Sequence, residues 1–445
     1  MGHKPGAGNF SKKPRSTGEV LQFMRPSPRI KEATMRKGGR KWIWAAATIS
    51  LWVLTAMLPL GQAQEKYVTY LSLADYTGPI AGLNVPADMG VEDFFKDLND
   101  RGGVEGVKVK FTGVDTRYDV ARGVSAYKRY RTEHKLVLAN AISTGIGKAV
   151  APLTGRDKVV QLVPGDGEFQ AKPGRVFTWG TCYQDAYAAT MDWIMEDWKA
   201  KGKSGSPKVG YLQWDNPYGR EPLRGGKEYM EKLGMSLLPP EFFPPGTLDH
   251  SVWLNRLASQ NPDYIVIGGV DPTPTNVLRD AHKMGLTKRI QFVDATFWGP
   301  DETVGIKAHP EATEGAVICV YYLRGKEARE HPLAKRIWQK YRARPLEEMG
   351  STYSTGMIWG LDLEAALKIA LRQVGYDKLD GEAVFQAYMK LAGSDHRQGL
   401  AGNCTYGPDS RRGSDMVKFY RVQGAKLVPI TGWRKAPDAV SLHKF

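Results

Sequence analysis

From residue 65 onward, short apolar runs alternate with longer stretches in which apolar residues recur every three or four positions. The runs have the length of β-strands, and the stretches have the period of amphipathic helices. The predicted strands lie at 67–74, 107–114, 136–139, 159–163, 208–213, 264–267 and 290–293. This β-α alternation predicts parallel sheets covered by helices on both faces. Residues 65–445 are more than one such sheet ordinarily holds, so we expect two α/β lobes, each with a doubly wound parallel sheet.

The helices between these strands carry recognisable boundaries. One begins after Asp119, a residue suited to capping, and places Val124 and Tyr127 on one face. A long helix is predicted at 361–374 and ends at Gly375, since glycine commonly follows a helix C-terminus. The segments 416–422 and 425–430 predict an antiparallel hairpin near the end of the chain.

The basic charge is concentrated at the front of the chain. Residues 1–63 carry +9 of the formal net charge of +15, so only +6 is spread over the remainder. No basic run in that remainder is dense enough for a nucleic-acid-binding surface. We therefore expect no nucleic-acid partner.

The same front segment has the order of a secretory signal. A basic stretch at 35–41 precedes uncharged residues 42–60, and Gly61-Gln62-Ala63 has the small-residue pattern of a cleavage site. Residues 1–63 are thus a predicted leader with its signal peptide at 35–63, the mature chain begins at Gln64, and Met35 competes with Met1 as the start. The alternative is a retained membrane anchor, because the uncharged stretch is just long enough to span a bilayer.

Signatures of catalysis are absent from the sequence. There is no complete phosphate-binding glycine loop, no nucleophile elbow and no metalloprotease motif. The eight histidines are scattered without ligand spacing, so we expect no metal and no cofactor. An enzyme would need a nucleophile and base pair that the sequence does not display.

Small polar residues follow two of the predicted strands. Ser143 and Thr144 come after the strand at 136–139 and lead into a helix, while Gly165 and Gly167 come after the strand at 159–163. In doubly wound sheets, ligands bind beyond the carboxyl ends of strands, where helix N-termini offer free N–H groups. Both loops are therefore candidates for holding a carboxylate, although an ordinary capped helix start explains each equally well.

The sequence resembles the periplasmic solute-binding proteins of branched-chain amino acid ABC transporters, the leucine/isoleucine/valine-binding family. Five short motifs carry the resemblance, in an order and spacing that match over about residues 66–430. They are the segment 71–79, Ser143-Thr144, Pro164-Gly165, the segment 216–219 and Gly268-Gly269.

The resemblance implies a type I periplasmic binding fold, in which two lobes joined by three crossovers close around a ligand. One lobe would hold residues 66–182 and 320–403, and the other 183–319 and 404–445. It also implies that Ser143 and Thr144 bind the ligand carboxylate, that Gly165 and Gly167 supply main-chain contacts, and that two residues of the second lobe reach the ligand. These two residues are Tyr218 and Asp271.

One departure from the family changes the expected ligand. Amino-acid-binding relatives have a glutamate that pairs with the ligand ammonium, whereas this chain has the neutral Thr296. Any positive end of the ligand would then have to be read by Asp271 or Asp294. Four aromatic residues are candidates for stacking on a flatter or larger ligand, and ordinary core or rim positions explain them as well. They are Tyr76, Tyr183, Phe297 and Trp298.

These observations predict a monomeric, exported, non-catalytic protein that captures a small amino acid, amide or carboxylate and delivers it to an ABC transporter permease. The alternative is a sensor domain that reports ligand binding to a membrane or cytoplasmic regulator, and this would need the retained anchor. Three cysteines lie near the expected crossovers, so either two of them form a disulfide or all remain buried thiols. They are Cys182, Cys319 and Cys404.

Overall fold

The computed structural model describes residues 65–445 of the chain. The predicted leader and its cleavage site lie outside the described residues. Among the helices of the described part, none is both long and apolar enough to cross a bilayer. Residues 64–445 group into one compact unit.

The first sheet is entirely parallel within this part of the chain, with strand order β2-β1-β3-β4-β5. Its strands are β1 (Tyr67–Ala74), β2 (Lys108–Asp115), β3 (Leu136–Ala141), β4 (Val160–Val163) and β5 (Val176–Thr178). Every residue of β3 and β4 is buried, as continuous apolar runs between two helical layers require.

The second sheet is mixed, which corrects the expectation of a parallel sheet in both lobes. Its main path runs β13-β12-β11-β10-β9-β6-β7, with β8 paired to β6 and β14 to β12. The strands are β6 (Lys208–Trp214), β7 (Ser236–Leu237), β8 (Glu241–Phe243), β9 (Tyr264–Ile267), β10 (Gln291–Asp294), β11 (Val317–Val320), β12 (Met416–Gln423), β13 (Lys426–Pro429) and β14 (Arg434–Lys435). β12 runs antiparallel to both β11 and β13, because the expected hairpin joins the edge of the parallel strands.

Fifteen α-helices connect and cover the sheets within residues 65–445. They are α1 (Ala81–Asp100), α2 (Val120–Tyr130), α3 (Thr144–Asp157), α4 (Glu168–Ala171), α5 (Tyr183–Ala200), α6 (Pro217–Arg220), α7 (Leu223–Lys232), α8 (Ser251–Ala258), α9 (Thr273–Lys283), α10 (Gly305–Ala308), α11 (Pro310–Thr313), α12 (Gly325–Glu330), α13 (Pro332–Tyr341), α14 (Ser351–Val374) and α15 (Gly381–Tyr388). As predicted, α2 is capped by Asp119, whose carboxylate accepts from the N–H of Arg122.

The chain passes between the sheets three times, which is the architecture of the type I periplasmic binding fold. It leaves the first sheet after β5 and builds the second sheet from β6 to β11. It then returns through α12–α15, of which α14 packs against α1 and α15 against β3 and β4. Finally it rejoins the second sheet at β12.

Helix α14 starts ten residues earlier than the predicted 361–374. Its first half is buried on nearly every side and therefore shows no amphipathic stripe. Two glycines allow this close packing against α1. A Cβ on Gly90 would lie 1.9 Å from the Tyr353 carbonyl oxygen, and one on Gly356 would lie 1.8 Å from the Ala87 carbonyl oxygen.

The three cysteines are buried and free, so no disulfide joins the crossovers. Burial raises the pKa of Cys182 and Cys319, and it raises the pKa of Cys404 to about 12. These thiols behave as small apolar side chains of the core.

Candidate functional site

The candidate site begins at the carboxyl end of β3, where Ser143 and Thr144 start helix α3. The Ser143 hydroxyl caps the helix and accepts from the Ile146 N–H at 3.4 Å. The Thr144 hydroxyl is buried and has no hydrogen-bond partner among the described residues. A buried hydroxyl without a partner at a helix N-terminus can donate to an anionic ligand group.

The loop after β4 places Gly165 at the site and Gly167 beside it. The Gly165 carbonyl accepts from the Tyr183 N–H at 2.7 Å, and a Cβ at Gly165 would lie 3.0 Å from the Tyr183 ring. Gly165 thus lets the first residue of α5 approach the loop. A Cβ at Gly167 would instead meet Gln184 and Val440, so Gly167 packs behind the site.

Aromatic side chains from both sheets meet at these loops. The Tyr183 ring stacks on Phe297 at a centroid distance of 5.7 Å and meets Tyr218 edge-on at 5.2 Å. Phe297 adopts a φ of 78°, a left-handed conformation that is rare for an aromatic residue. The backbone after β10 is therefore held in an uncommon conformation where this stack forms.

Thr296 supports Tyr218 from behind. The Tyr218 hydroxyl donates to the Gly269 carbonyl at 2.9 Å and lies 2.6 Å from the Thr296 hydroxyl. The Thr296 hydroxyl also accepts from the Gln213 side-chain amide at 3.3 Å. Thr296 is fully buried and does not line the cavity described next.

The molecule has two halves, each consisting of one sheet with its covering helices. A small cavity of about 20 Å³ lies between the two halves at this point. Ser143, Thr144, Tyr183, Tyr218 and Trp298 line it among the predicted site residues. The other lining residues are Ile80, Leu83, Tyr118, Ile142, Pro164, Trp179 and Val270. We call it the central cavity. This volume holds about one water molecule, so a larger ligand requires the halves to separate and close again around it.

Direct contacts hold the halves together around the central cavity. Tyr118, which follows β2, accepts a hydrogen bond from the Asn216 side-chain amide at 3.2 Å and packs against Trp214. On the outer side, Lys148 of α3 lies 3.1 Å from Asp166 and 3.4 Å from Glu221, which follows α6. Burial and the neighbouring Glu221 raise the pKa of Asp166 to about 7.

Asp271 lies in the loop after β9 and Asp294 is the last residue of β10, and their carboxylates are engaged to different degrees. Asp271 accepts from the Thr275 hydroxyl at 2.5 Å and the Gly305 N–H at 3.0 Å. Asp294 accepts from the Thr296 N–H at 2.9 Å, and its other oxygen has no partner among the described residues. Burial raises the pKa of Asp271 to about 6 and that of Asp294 to about 7.

Only Asp271 of these two lines a cavity, and that cavity is a second one of about 100 Å³ next to the first. We call it the distal cavity. It shares Leu83, Val270 and Trp298 with the central cavity. Tyr76 lines neither cavity; its hydroxyl donates to Asp88 at 2.7 Å, on the side of α1.

Most residues that line the two cavities were not among the sequence-predicted site residues. Three of them that bear on ligand binding are Tyr118, Trp179 and Arg324. Tyr118 follows the carboxyl end of β2, so the rule that selected Ser143 also applied to it. Trp179 and Arg324 follow β5 and β11, strands that the apolar pattern did not predict, so their positions carried no signal.

One further cluster contains groups that metals bind. Within the described part, Asp362, His396 and Cys404 bring ligand atoms within 4.8 Å of one another. The Asp362 carboxylate, however, pairs with the Arg397 guanidinium at 2.7 Å and with His396 at 2.7 Å. A carboxylate held by a buried arginine stabilises the core through this ion pair, and the arrangement gives no reason to place a metal there.

The two sheets, the three passages and the site between them match a known family. A family model described as periplasmic binding protein matches residues 72–426. The chain belongs to this family. Its members are solute-binding proteins of the periplasm.

Relatives and solved structures agree with this assignment. The Leu/Ile/Val-binding protein BraC3 of Rhizobium johnstonii is 21% identical over 86% of this chain and 98% of its own length. Other matches are shorter, and a Leu/Ile/Val-binding homologue of Brucella abortus is covered over 57% of its length.

Among solved structures, a branched-chain amino acid ABC transporter protein from Thermus thermophilus with bound valine has a TM-score of 0.74 at 22% identity. The match covers 84% of this chain and 98% of that protein. A solute-binding protein of an ABC transporter from Rhodopseudomonas palustris, in complex with p-hydroxybenzoic acid, has a TM-score of 0.69 at 17% identity, with 84% and 98% covered. At these identities the likeness shows the fold alone.

Proposed function

We propose that this protein is the substrate-binding component of an ABC transporter and that it captures a small carboxylic acid lacking an α-ammonium group. The observation that carries the proposal is the buried Thr144 hydroxyl, which lines the central cavity at the N-terminus of α3 without a partner. Together with the helix N–H groups, it is suited to a carboxylate.

The residues across from Thr144, on the second sheet and its loops, favour an acid without an amine. A buried ammonium needs a paired carboxylate, because leaving it unpaired costs several kcal/mol. Thr296 is neutral and hydrogen-bonded to Tyr218, Asp271 is engaged by three donors, and Asp294 lines neither cavity. The relative with bound valine and the one with p-hydroxybenzoic acid show that this fold accommodates both classes of ligand.

The walls of the central cavity favour a flat or apolar ligand body. Trp179, Trp298 and Tyr183 line it, and the rings of Trp179 and Trp298 meet edge-on at a centroid distance of 5.9 Å. Aromatic walls contribute large contact area at low entropy cost. We propose that Tyr218 contacts the ligand beside them, while Thr296, Asp294, Gly167 and Tyr76 shape the surrounding loops.

A role in transport also requires lobe closure, docking on a permease and export. We propose that the lobes, at 66–182 with 320–403 and at 183–319 with 404–445, close as a monomer and dock on a membrane permease without catalysing a reaction. The signal peptide would direct export and would be removed by cleavage after Ala63. N-terminal sequencing of the protein from a periplasmic fraction should begin at Gln64, and an intact 42–60 segment would contradict the cleavage.

Calorimetric titration tests the ligand class. Protein unfolded, dialysed and refolded should bind benzoate or 4-hydroxybenzoate more tightly than valine or leucine. The Thr144→Val variant should bind the acid about tenfold more weakly, which corresponds to about 1.4 kcal/mol for one charge-assisted hydrogen bond.

Thr355→Val is the matched control for this experiment. Thr355 is also a buried threonine whose hydroxyl has no partner among the described residues, and it lies outside both cavities. Its substitution should leave binding unchanged. Preference for valine over every amine-free acid, or equal affinity in the Thr144→Val variant, would overturn the proposal.

A further inference from the structure

The distal cavity is bounded by both halves of the molecule. Gly82 and Leu83 of α1 form one side, and the loops after β9 and β10 form the other through Asp271 and Trp298. Its volume of about 100 Å³ accommodates several water-sized groups. Because Leu83, Val270 and Trp298 also line the central cavity, a ligand held at Thr144 can extend past Trp298 into this space.

Arg324 lines the distal cavity and has hydrogen-bond donors that are not used within the described part of the protein. It lies immediately before α12 and is 1% exposed. Its Nη2 donates to the Gly299 carbonyl at 3.2 Å, the Pro300 carbonyl at 3.0 Å and Asp301 at 3.2 Å. Its Nε and Nη1 have no partner among residues 65–445. Each buried donor left unpaired costs about 1–3 kcal/mol, so a partner here would recover that cost.

The two buried carboxylates beside Arg324, in contrast, are occupied. Asp301 accepts from the Thr303 N–H at 3.0 Å and from the Ser351 N–H at 3.1 Å, in addition to Arg324. Asp271 accepts from the Thr275 hydroxyl, the Gly305 N–H and the Asp301 N–H. These two carboxylates therefore leave the Nε and Nη1 donors of Arg324 without an acceptor among the described residues.

The charge balance selects a neutral acceptor. The Arg324 guanidinium is already compensated by Asp301 at 3.2 Å, and Asp271 is a second carboxylate on the same wall. A second negative group on the ligand would face both carboxylates in a buried setting, where like charges repel strongly. A carbonyl, amide or hydroxyl oxygen satisfies the guanidinium without adding charge.

We propose that the distal cavity is a ligand subsite in which Arg324 binds a neutral oxygen at the far end of the captured acid. This inference rests on the proposed function and narrows its substrate class to acids with a carboxylate at one end and an uncharged acceptor at the other. Arg324 would then determine specificity, and Thr144 would hold the common carboxylate.

Two matched series of acids test the subsite by calorimetry. One comprises benzoate, 4-carbamoylbenzoate and terephthalate, and the other pentanoate, 5-amino-5-oxopentanoate and glutarate. In at least one series the amide should bind wild type about tenfold more tightly than the unsubstituted acid, and the diacid should bind more weakly than the amide. In Arg324→Lys the advantage of the amide should fall below threefold, while the unsubstituted acid keeps its affinity.

Two further variants keep the test decisive. Arg397→Lys is the control for replacing a buried, ion-paired arginine, because Arg397 is 2% exposed and lines neither cavity. Its selectivity should match wild type. Val304→Phe fills the distal cavity from a position that is 43% exposed and should remove the advantage of the amide even if Arg324→Lys does not fold.

The outcomes separate this inference from the proposed function. Equal binding of amide and unsubstituted acid in both series, or an advantage that persists in both Arg324→Lys and Val304→Phe, would overturn the subsite while capture of acids stands. Absence of binding by all six acids would contradict the proposed function and this inference together.

Discussion

The hydroxyls of Tyr218 and Thr296 lie 2.6 Å apart in the buried wall behind the central cavity. Position 296, where amino-acid-binding relatives are expected to have a charged residue, thus orients a tyrosine instead. Thr296→Val should lower the free energy of unfolding by about 1–3 kcal/mol, because the Gln213 amide loses its acceptor. Thr296→Ser keeps the hydroxyl and should retain most of the stability in urea denaturation. Equal stability of the two variants would show that the hydrogen bonds contribute nothing.

The adjacent residues Ser143 and Thr144 should separate stability from binding. Ser143 caps α3, and removing a cap costs about 0.5–2 kcal/mol; the long 3.4 Å contact places Ser143→Ala at the lower end. Thr144→Val removes no hydrogen bond within the protein and should leave the unliganded melting temperature nearly unchanged. Scanning calorimetry of both variants checks this. A larger loss of stability in Thr144→Val would mean that its hydroxyl serves the fold.

The buried thiols should be unreactive in the folded protein. The raised pKa values of Cys182, Cys319 and Cys404 leave almost no thiolate at neutral pH, and burial blocks access. An aromatic disulfide reagent should therefore label no cysteine in native protein and three in unreduced protein unfolded in guanidinium. One labelled thiol after unfolding would demonstrate a disulfide.

The sequence predicted the elements whose burial is one-sided or continuous. The strands at 67–74 and 264–267 match β1 and β9 residue for residue, since apolar runs bounded by turns have few alternatives. Prediction failed where packing removes the periodic signal. β5 has three residues, and the first half of α14 is buried all round.

Part of the lining of the central cavity was predicted from the sequence. The carboxyl-end rule selected Ser143 and Thr144, whereas the family resemblance pointed to Tyr218 and the expected cleft to Tyr183. The rule does not give side-chain direction, so it could not show that Tyr76 turns toward Asp88. Arg324 was missed because its importance depends on which of its donors remain unpaired, and only the tertiary structure reveals that.

Lys148, Asp166 and Glu221 form an ion cluster that joins the two halves beside the site. Within it, the Asp166 carboxyl group has a raised pKa. Asp166 is fully buried, and its pKa is raised to about 7 by burial and by Glu221, against the opposing effect of Lys148. The other charged groups facing it are Glu168 and, through Glu221, Arg224.

A carboxyl group whose pKa is raised by folding binds its proton more tightly in the folded state. Asp166 therefore stabilises the protein at low pH, and this stabilisation is lost as the pH rises through about 7. Between the unfolded and folded pKa values, the group contributes a slope of about −1.4 kcal/mol per pH unit to the free energy of unfolding. Asp166→Asn cannot ionise and should lack this contribution.

Urea denaturation at pH 5, 6, 7 and 8 measures the effect. The slope for Asp166→Asn should be shallower than that of wild type, and at pH 8 the variant should be at least as stable. Glu168→Gln is the control from the same cluster, because Lys148 lowers the pKa of Glu168 against the effect of burial, and its titration falls below this range. That variant should keep the wild-type slope. Parallel pH profiles for wild type and Asp166→Asn would show that Asp166 is ionised throughout and that Lys148 compensates its charge in full.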